Sequence, residues 1–134
     1  MKDWKAIFDD AANSGIHHVG PDVEYAELRK PAAALGFDFT LVDLRGAADK
    51  ESFLGTVASA LEFPDYFGTN WDALNDCLTD MSWKQATGYV LFFVGFQSFA
   101  EAAKAEATVA IRILGAAAEF WRQRGVSFYA LLSD

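Results

Sequence analysis

Three apolar segments alternate along this chain with longer stretches of helical periodicity. Residues 88–96 are almost wholly apolar, aromatic and β-branched, which is typical of a central strand covered on both faces. In residues 37–44 the side chains alternate with period two, as they do when successive residues of a strand point to opposite faces. Residues 126–132 form another apolar run, so both segments are predicted strands. Because helical stretches separate these strands, the pattern predicts a layered α/β domain with a mainly parallel sheet.

Apolar residues at helical spacing predict helices between the strands. One helix is expected from Asp49 or Lys50 to about Leu61, and a longer one from about Glu106 to Arg124. Both are long enough to carry the chain from the end of one strand to the start of the next parallel strand. The predicted helices therefore support the parallel sheet.

A further helix follows the loop at residues 63–68 and has a clear start. Thr69 or Asn70 can cap it, and Asp72 in its first turn suits the helix dipole. Its predicted inward face consists of Ala73, Leu74, Cys77, Leu78 and Met81.

The first 35 residues have the least regular pattern. Residues 3–12 are a candidate short amphipathic helix, and 15–19 a candidate edge strand. We therefore predict an N-terminal extension over 1–35 that packs on a core domain over 36–134. The 134 residues, of which 52% are apolar, suit one hydrophobic core.

Charge and cysteine content narrow the class of partner. The net charge of −8 disfavours direct binding to nucleic acid or to an anionic membrane and favours basic partners. The longest strongly apolar run is far shorter than the roughly 20 residues of a membrane span. Cys77 is the only cysteine, which excludes an intramolecular disulfide, and the N-terminus lacks a secretory pattern. We expect a cytoplasmic protein that is a monomer when free.

Three aspartates recur at helical spacing in the helix after the loop. Asp72, Asp76 and Asp80 are four residues apart, and like charges at that spacing cost about 0.2–0.5 kcal/mol per pair. A solvated acidic surface is the simplest explanation. However, Tyr66 and Trp71 lie beside the aspartates, and acidic groups next to aromatic side chains are typical of a protein interface.

Other chemistries find less support in the sequence. Carboxylates can bind Mg²⁺ or Ca²⁺ and paired aspartates can act as acid and base, but no EF-hand, phosphate-binding or hydrolase motif is present. His17 and His18 are adjacent, so on a strand they would point to opposite faces and not share a metal. We expect no metal site, no cofactor and no catalytic residue.

The segment FPDYFGTNWDALNDCLTD, residues 63–80, resembles the barstar family, intracellular inhibitors of the secreted ribonuclease barnase. The similarity is ungapped there and continues more weakly through the apolar strand near 89–94 to RGVSFYALLS. It covers about residues 37–133. The resemblance implies a three-stranded parallel sheet flanked by helices, to which the N-terminal extension would add a short edge strand.

The resemblance also implies a function and roles for individual residues. In the family, the helix and its preceding loop enter the active site of the ribonuclease, where Asp76 would occupy the place of a substrate phosphate. Asp72 and Tyr66 would contact the same site. Gly68 and Asn70 would shape the loop, and Thr79 would lie near the far edge.

This chain departs from the family pattern at three places. Asn75 stands where the family has tryptophan, while Trp71 replaces a smaller aliphatic residue one turn earlier. An acidic residue that the family supplies from its last long helix falls near Phe120, next to Glu119. We therefore expect an inhibitor of a basic ribonuclease or, alternatively, an interaction module of the same fold for another basic protein. The predicted contacts with the partner are Tyr66, Gly68, Asn70, Trp71, Asp72, Asn75, Asp76, Thr79 and Asp80.

Overall fold

A single parallel sheet of four strands organises the computed structural model, which describes residues 2–65 and 67–134. The strands lie in the spatial order β1–β4–β3–β2, and every neighbouring pair is parallel. They span β1 Gly15–His18, β2 Asp38–Asp43, β3 Gly88–Val94 and β4 Ser127–Leu132. The three core strands and the edge strand of the extension are thus confirmed, with ends that differ by at most two residues from the predicted ranges.

Six α-helices connect or flank these strands in the described parts of the chain. They are α1 Trp4–Phe8, α2 Tyr25–Ala34, α3 Lys50–Ala60, α4 Trp71–Leu78, α5 Phe96–Ala102 and α6 Lys104–Arg122. The predicted helix over 3–12 is broken, because α1 ends at Phe8 and a separate 3₁₀ turn covers Ala11–Asn13. Asp3 and Asp10 each accept a backbone N–H at the start of these short elements, so each element has its own cap.

The central strand β3 is buried on both faces, as its continuous apolar sequence predicts. Its side chains alternate between two layers. Leu91 and Phe93 pack among residues of α3 to α6, whereas Val90 and Phe92 pack among residues of α1 and α2. The molecule is therefore a three-layer sandwich of helices, sheet and helices.

The N-terminal 35 residues pack closely against the last strand. The Tyr129 hydroxyl lies 2.8 Å from the Ile7 carbonyl oxygen and 2.9 Å from that of Asp10, and the Phe128 N–H donates to the Ser14 hydroxyl at 3.0 Å. Burial raises the pKa of the Tyr129 hydroxyl, which keeps it protonated as a donor. The division of the chain at residue 35 remains a prediction.

Candidate protein-binding site

The start of α4 is fixed by Asn70. Its side-chain oxygen accepts the Ala73 N–H at 2.7 Å, and its amide donates to the Gly68 carbonyl at 3.2 Å. Thr69, just before it, has a positive φ of 50°, a conformation that disfavours residues with a Cβ. This N-cap confirms the sequence prediction and ties the loop to the helix.

Replacing Asn70 by alanine is expected to lower the free energy of unfolding by about 0.5–2 kcal/mol, because the Ala73 N–H loses its acceptor. Urea unfolding followed by circular dichroism measures this change. Asn70→Asp is the matched control, since aspartate keeps the acceptor oxygen and should unfold close to the wild-type midpoint. Equal midpoints for Asn70→Ala and wild type would contradict the capping role.

Aromatic side chains anchor the loop that precedes α4. The rings of Phe63 and Phe67 meet at 4.9 Å between centroids, and Phe63 also meets Trp83 edge-on at 5.7 Å. The Trp83 indole N–H donates to the Leu61 carbonyl at 3.1 Å, which ties the segment after α4 to the end of α3. The loop is thus held at 63 and 67, on both sides of Tyr66, which lies outside the described residues.

The predicted stripe of three helical aspartates is only partly present. Asp72 and Asp76 lie on the exposed side of α4, but the helix ends at Leu78, so placing Asp80 on it was wrong. Asp80 sits in a turn whose next residue, Met81, is fully buried with a φ of 53°. A residue in the left-handed conformation just beyond the last turn is a common way for a helix to end, and the Met81 side chain is still buried, as its place on the predicted inward face implies. Asp80 remains exposed beyond the end of α4.

A side chain from α6 supports the end of α4. The Trp121 indole N–H donates to the Leu78 carbonyl at 2.8 Å, which satisfies one of the acceptors that a helix leaves free at its C-terminus. The same ring packs on Tyr89 at 5.7 Å between centroids. Together with the Asn70 cap, this contact holds α4 at both ends.

Trp71 turns toward the core rather than standing free on the surface. It is half-buried, and its ring lies 5.8 Å from that of the fully buried Phe53 in α3. Asn75, one turn later, is also half-buried, and its carbonyl accepts the Thr79 hydroxyl at 2.8 Å. The roles of Trp71, Asn75 and Thr79 as partner contacts remain predictions, as does that of exposed Gly68.

The carboxylates of Asp72 and Asp76 face solvent. In the part of the chain that the structure describes, neither takes part in a side-chain hydrogen bond or an ion pair. Asp80, by comparison, accepts the Ser82 hydroxyl at 3.2 Å. The surface of α4 therefore presents two carboxylates that no described cation neutralises.

Near the C-terminus of α6, in contrast to α4, the charged side chains contact other groups of the same chain. Glu119 bonds to the Arg122 guanidinium at 2.7 Å, and this hydrogen bond lowers the pKa of the Glu119 carboxyl. The Arg124 guanidinium lies over the Phe120 ring, 3.6 Å from its centroid. The acidic residue near Phe120 is thus already paired within the chain, a feature that the (i, i+3) spacing of Glu119 and Arg122 signals in the sequence.

The sequence also contains Cys77 and the histidine pair as candidate groups. Cys77 is buried, and burial first, then the negative charges of Asp80 and Asp76, raise the pKa of its thiol, which disfavours a reactive thiolate. His17 bonds to the Asn13 carbonyl oxygen at 2.9 Å through Nε2. Over residues 2–65 and 67–134, three or more metal-ligating side chains do not come together in any one place.

The fold and the exposed acidic helix define a parallel α/β protein with a candidate protein-binding surface. The family model described as Barstar (barnase inhibitor) matches residues 37–133. The chain therefore belongs to the barstar family, a family of protein inhibitors whose members bind another protein. This result confirms the resemblance seen in the sequence.

Comparison with other proteins adds information on the fold. A structure of the Aeropyrum pernix ORC2 protein in ADPNP–ADP complexes superposes with a TM-score of 0.64 and 14% sequence identity. The match covers 97% of this chain but only 39% of that one, and at this identity it concerns the fold alone. A search of curated proteins found no match. Within the described residues, no helix is both long and apolar enough to cross a membrane.

Proposed function

We propose that this protein is a cytoplasmic, non-enzymatic inhibitor that blocks the active site of a basic ribonuclease of the barnase type. In this proposal α4 and the loop at residues 63–70 enter the active site, and Asp76 takes the place of a substrate phosphate. Asp72 and Tyr66 contact the same site. The observation that carries the proposal is the pair of exposed carboxylates of Asp72 and Asp76 on a helix fixed at both ends.

The chemistry of the partner explains why such a pair is useful. A ribonuclease active site binds phosphates and is therefore cationic, so two carboxylates on a preformed helix complement it. Their mutual repulsion in the free protein is relieved when the cations of the partner approach. Complementary charge also speeds the encounter and fixes the orientation of the two proteins.

The fixed position of α4 also favours binding. The Asn70 cap and the Trp121 hydrogen bond fix the helix before the partner binds, so binding costs little conformational entropy in α4. The aromatic contacts of Phe63 and Phe67 do the same for the loop. The half-buried Trp71 contributes to this rigidity through Phe53.

A second candidate is an interaction module for a basic protein that is not a ribonuclease. The pairing of Glu119 with Arg122, and the position of Arg124 over Phe120, favour it, because they place cations near the end of α6 that supports α4. A partner that suits this surface has a basic centre and carboxylates at one edge. In the family pattern, the inhibitor itself has an acidic residue near the position of Phe120 instead.

An inhibition assay distinguishes the two candidates. RNA cleavage by a barnase-type ribonuclease is measured with rising concentrations of the protein at low and high salt. We expect stoichiometric inhibition whose affinity falls as salt screens the charges. An acidic ribonuclease of unrelated fold is the control and should be unaffected. Unchanged cleavage by the basic enzyme at every salt concentration would reject the inhibitor, and salt-sensitive binding to a basic non-nuclease would favour the module.

A further inference from the structure

The outer edge of β2 exposes a row of main-chain groups. β2 is the last strand of the sheet, and its other edge pairs with β3 without a bulge from Asp38 to Asp43. The Leu44 N–H donates to the Val94 carbonyl of β3. Successive residues of a strand point their main-chain N–H and C=O groups to opposite edges. Since those of Leu44 face β3, the groups of Phe39, Leu41 and Asp43 point away from β3. Among the described residues no strand pairs with this edge.

This edge lacks two of the features that normally prevent strand pairing. It has no proline and no bulge, and the side chain of Leu41 at its centre is 42% exposed. Each carboxylate of the strand lies near a cation of the same chain. Asp43 bonds to the Arg45 guanidinium at 2.9 and 2.7 Å. The Asp38 carboxylate, at the start of the strand, lies 3.7 Å from the Lys84 ammonium, which also bonds to Glu62 at 3.0 Å. The segment from Phe39 to Asp43 is therefore locally neutral, because Arg45 neutralises its one carboxylate, although the protein carries −8.

Helix α3 leaves space beside this edge. Gly55 is exposed on α3, and a Cβ built on it meets no heavy atom within 4 Å. The residues of α3 that line the groove along the edge are all small: Ser52, Gly55, Thr56, Ser59 and Ala60. A second helix on the same side of an extended sheet can thus approach α3 closely.

We infer that β2 pairs antiparallel with β2 of a second copy of this chain, in a register centred on Leu41. The two-fold axis places Leu41 against the partner's Leu41 and Phe39 opposite the partner's Asp43, so every outward main-chain group finds a hydrogen-bonding partner. The exposed Leu41 side chains cover each other. The same axis sets α3 beside α3 of the second copy, where the small residues meet.

The neutrality of the segment from Phe39 to Asp43 favours a second copy as the occupant, because in this register Asp43, already bonded to Arg45, faces the partner's Phe39 and no carboxylate faces another. The total charge of −8 on each copy still opposes association, and salt screens this long-range repulsion. The dimer is therefore expected to strengthen as salt rises. Binding of a basic partner to α4 has the opposite salt dependence. This inference replaces the expectation of a free monomer and does not depend on the proposed function.

Sedimentation velocity of the full chain at low and high salt tests the dimer with two variants. Wild type is expected to shift from monomer toward dimer as salt rises. Gly55→Lys should fold at least as stably, because glycine is a poor helix former, and should remain monomeric because its side chain fills the space beside α3. Lysine also lowers the negative charge, so repulsion cannot explain the loss. Asp76→Ala, a change in α4, should dimerise like wild type.

Oxidative cross-linking tests the register. In a hydrogen-bonded antiparallel pair the two Cα atoms are about 5.5 Å apart, within the range of a disulfide. Leu41→Cys is therefore expected to form a covalent dimer at high salt, whereas the similarly exposed Tyr25→Cys should not. A wild-type monomer at every salt concentration, or cross-linking of Leu41→Cys no faster than of Tyr25→Cys, would overturn the inference. Either result would leave the edge to a strand of a different protein.

Discussion

Replacing Asp76 by alanine is expected to weaken binding to a barnase-type ribonuclease more than any other single change in α4. Asp76 is exposed on a helix held at both ends, and it has no described intramolecular partner to compete for its charge. Its removal leaves the cations of the partner buried without a counter-charge. Truncating one side of a buried ion pair costs about 3–5 kcal/mol, which is about 10²–10⁴-fold in Kd. Titration calorimetry with both proteins measures the loss.

Two control variants separate the phosphate-like role of Asp76 from a general effect of charge. Asp76→Asn keeps the shape and removes the charge, so it should lose nearly as much affinity as alanine. Asp80→Ala removes one charge from a residue beyond the end of α4 that already accepts the Ser82 hydroxyl, so its effect should be clearly smaller. Equal losses for Asp76→Ala and Asp80→Ala would indicate that only total charge matters. No loss for either would contradict a role for this surface.

Replacing Phe53 by alanine is expected to lower the free energy of unfolding by about 3–5 kcal/mol, the usual cost of removing a buried phenylalanine ring. Phe53 is fully buried in α3, and its ring stacks on Phe99 at 4.9 Å and on Phe93 at 6.3 Å between centroids. It also supports Trp71 at the start of α4. Alanine leaves a cavity that these rings cannot close without moving. Urea unfolding followed by circular dichroism measures the change.

The contact between Phe53 and Trp71 gives this variant a second effect. Loss of the ring should also loosen the start of α4, so Phe53→Ala is expected to bind a ribonuclease more weakly even where it is fully folded. Phe53→Leu is the matched control, because it keeps most of the volume and should cost clearly less stability. A Phe53→Ala protein as stable as wild type would show that the cluster repacks. Unchanged affinity in the folded variant would show that Trp71 does not need this support.

Regular patterns in the sequence predicted most of the fold. The continuous apolar run at 88–96 predicted β3, because a strand buried on both faces needs apolar residues at every position. Asn70 predicted the start of α4, because capping depends on residues only three positions apart. The motif at residues 63–80 predicted the family, which the match over 37–133 confirmed. These signals are local or periodic and can be read without knowledge of distant contacts.

The end of α4 was not predictable in the same way. The spacing of Asp72, Asp76 and Asp80 continues past Leu78, but the chain leaves the helix there and Met81 takes a positive φ. The support from Trp121 also depends on a residue 43 positions away. Sequence spacing contains no information about the helix end or about the Trp121 hydrogen bond, so Asp80 was assigned to the wrong element.

The sequence by itself determined the order of strands and helices, the cap of the acidic helix and the family. The tertiary structure decided how far that helix runs, that Trp71 turns toward Phe53, and that the N-terminal strand β1 pairs with β4. It also decided that no described strand pairs with the outer edge of β2, where Arg45 neutralises Asp43. The physical reason is that local pattern follows from backbone geometry and periodic burial, whereas these features arise from packing between segments that are distant in the chain.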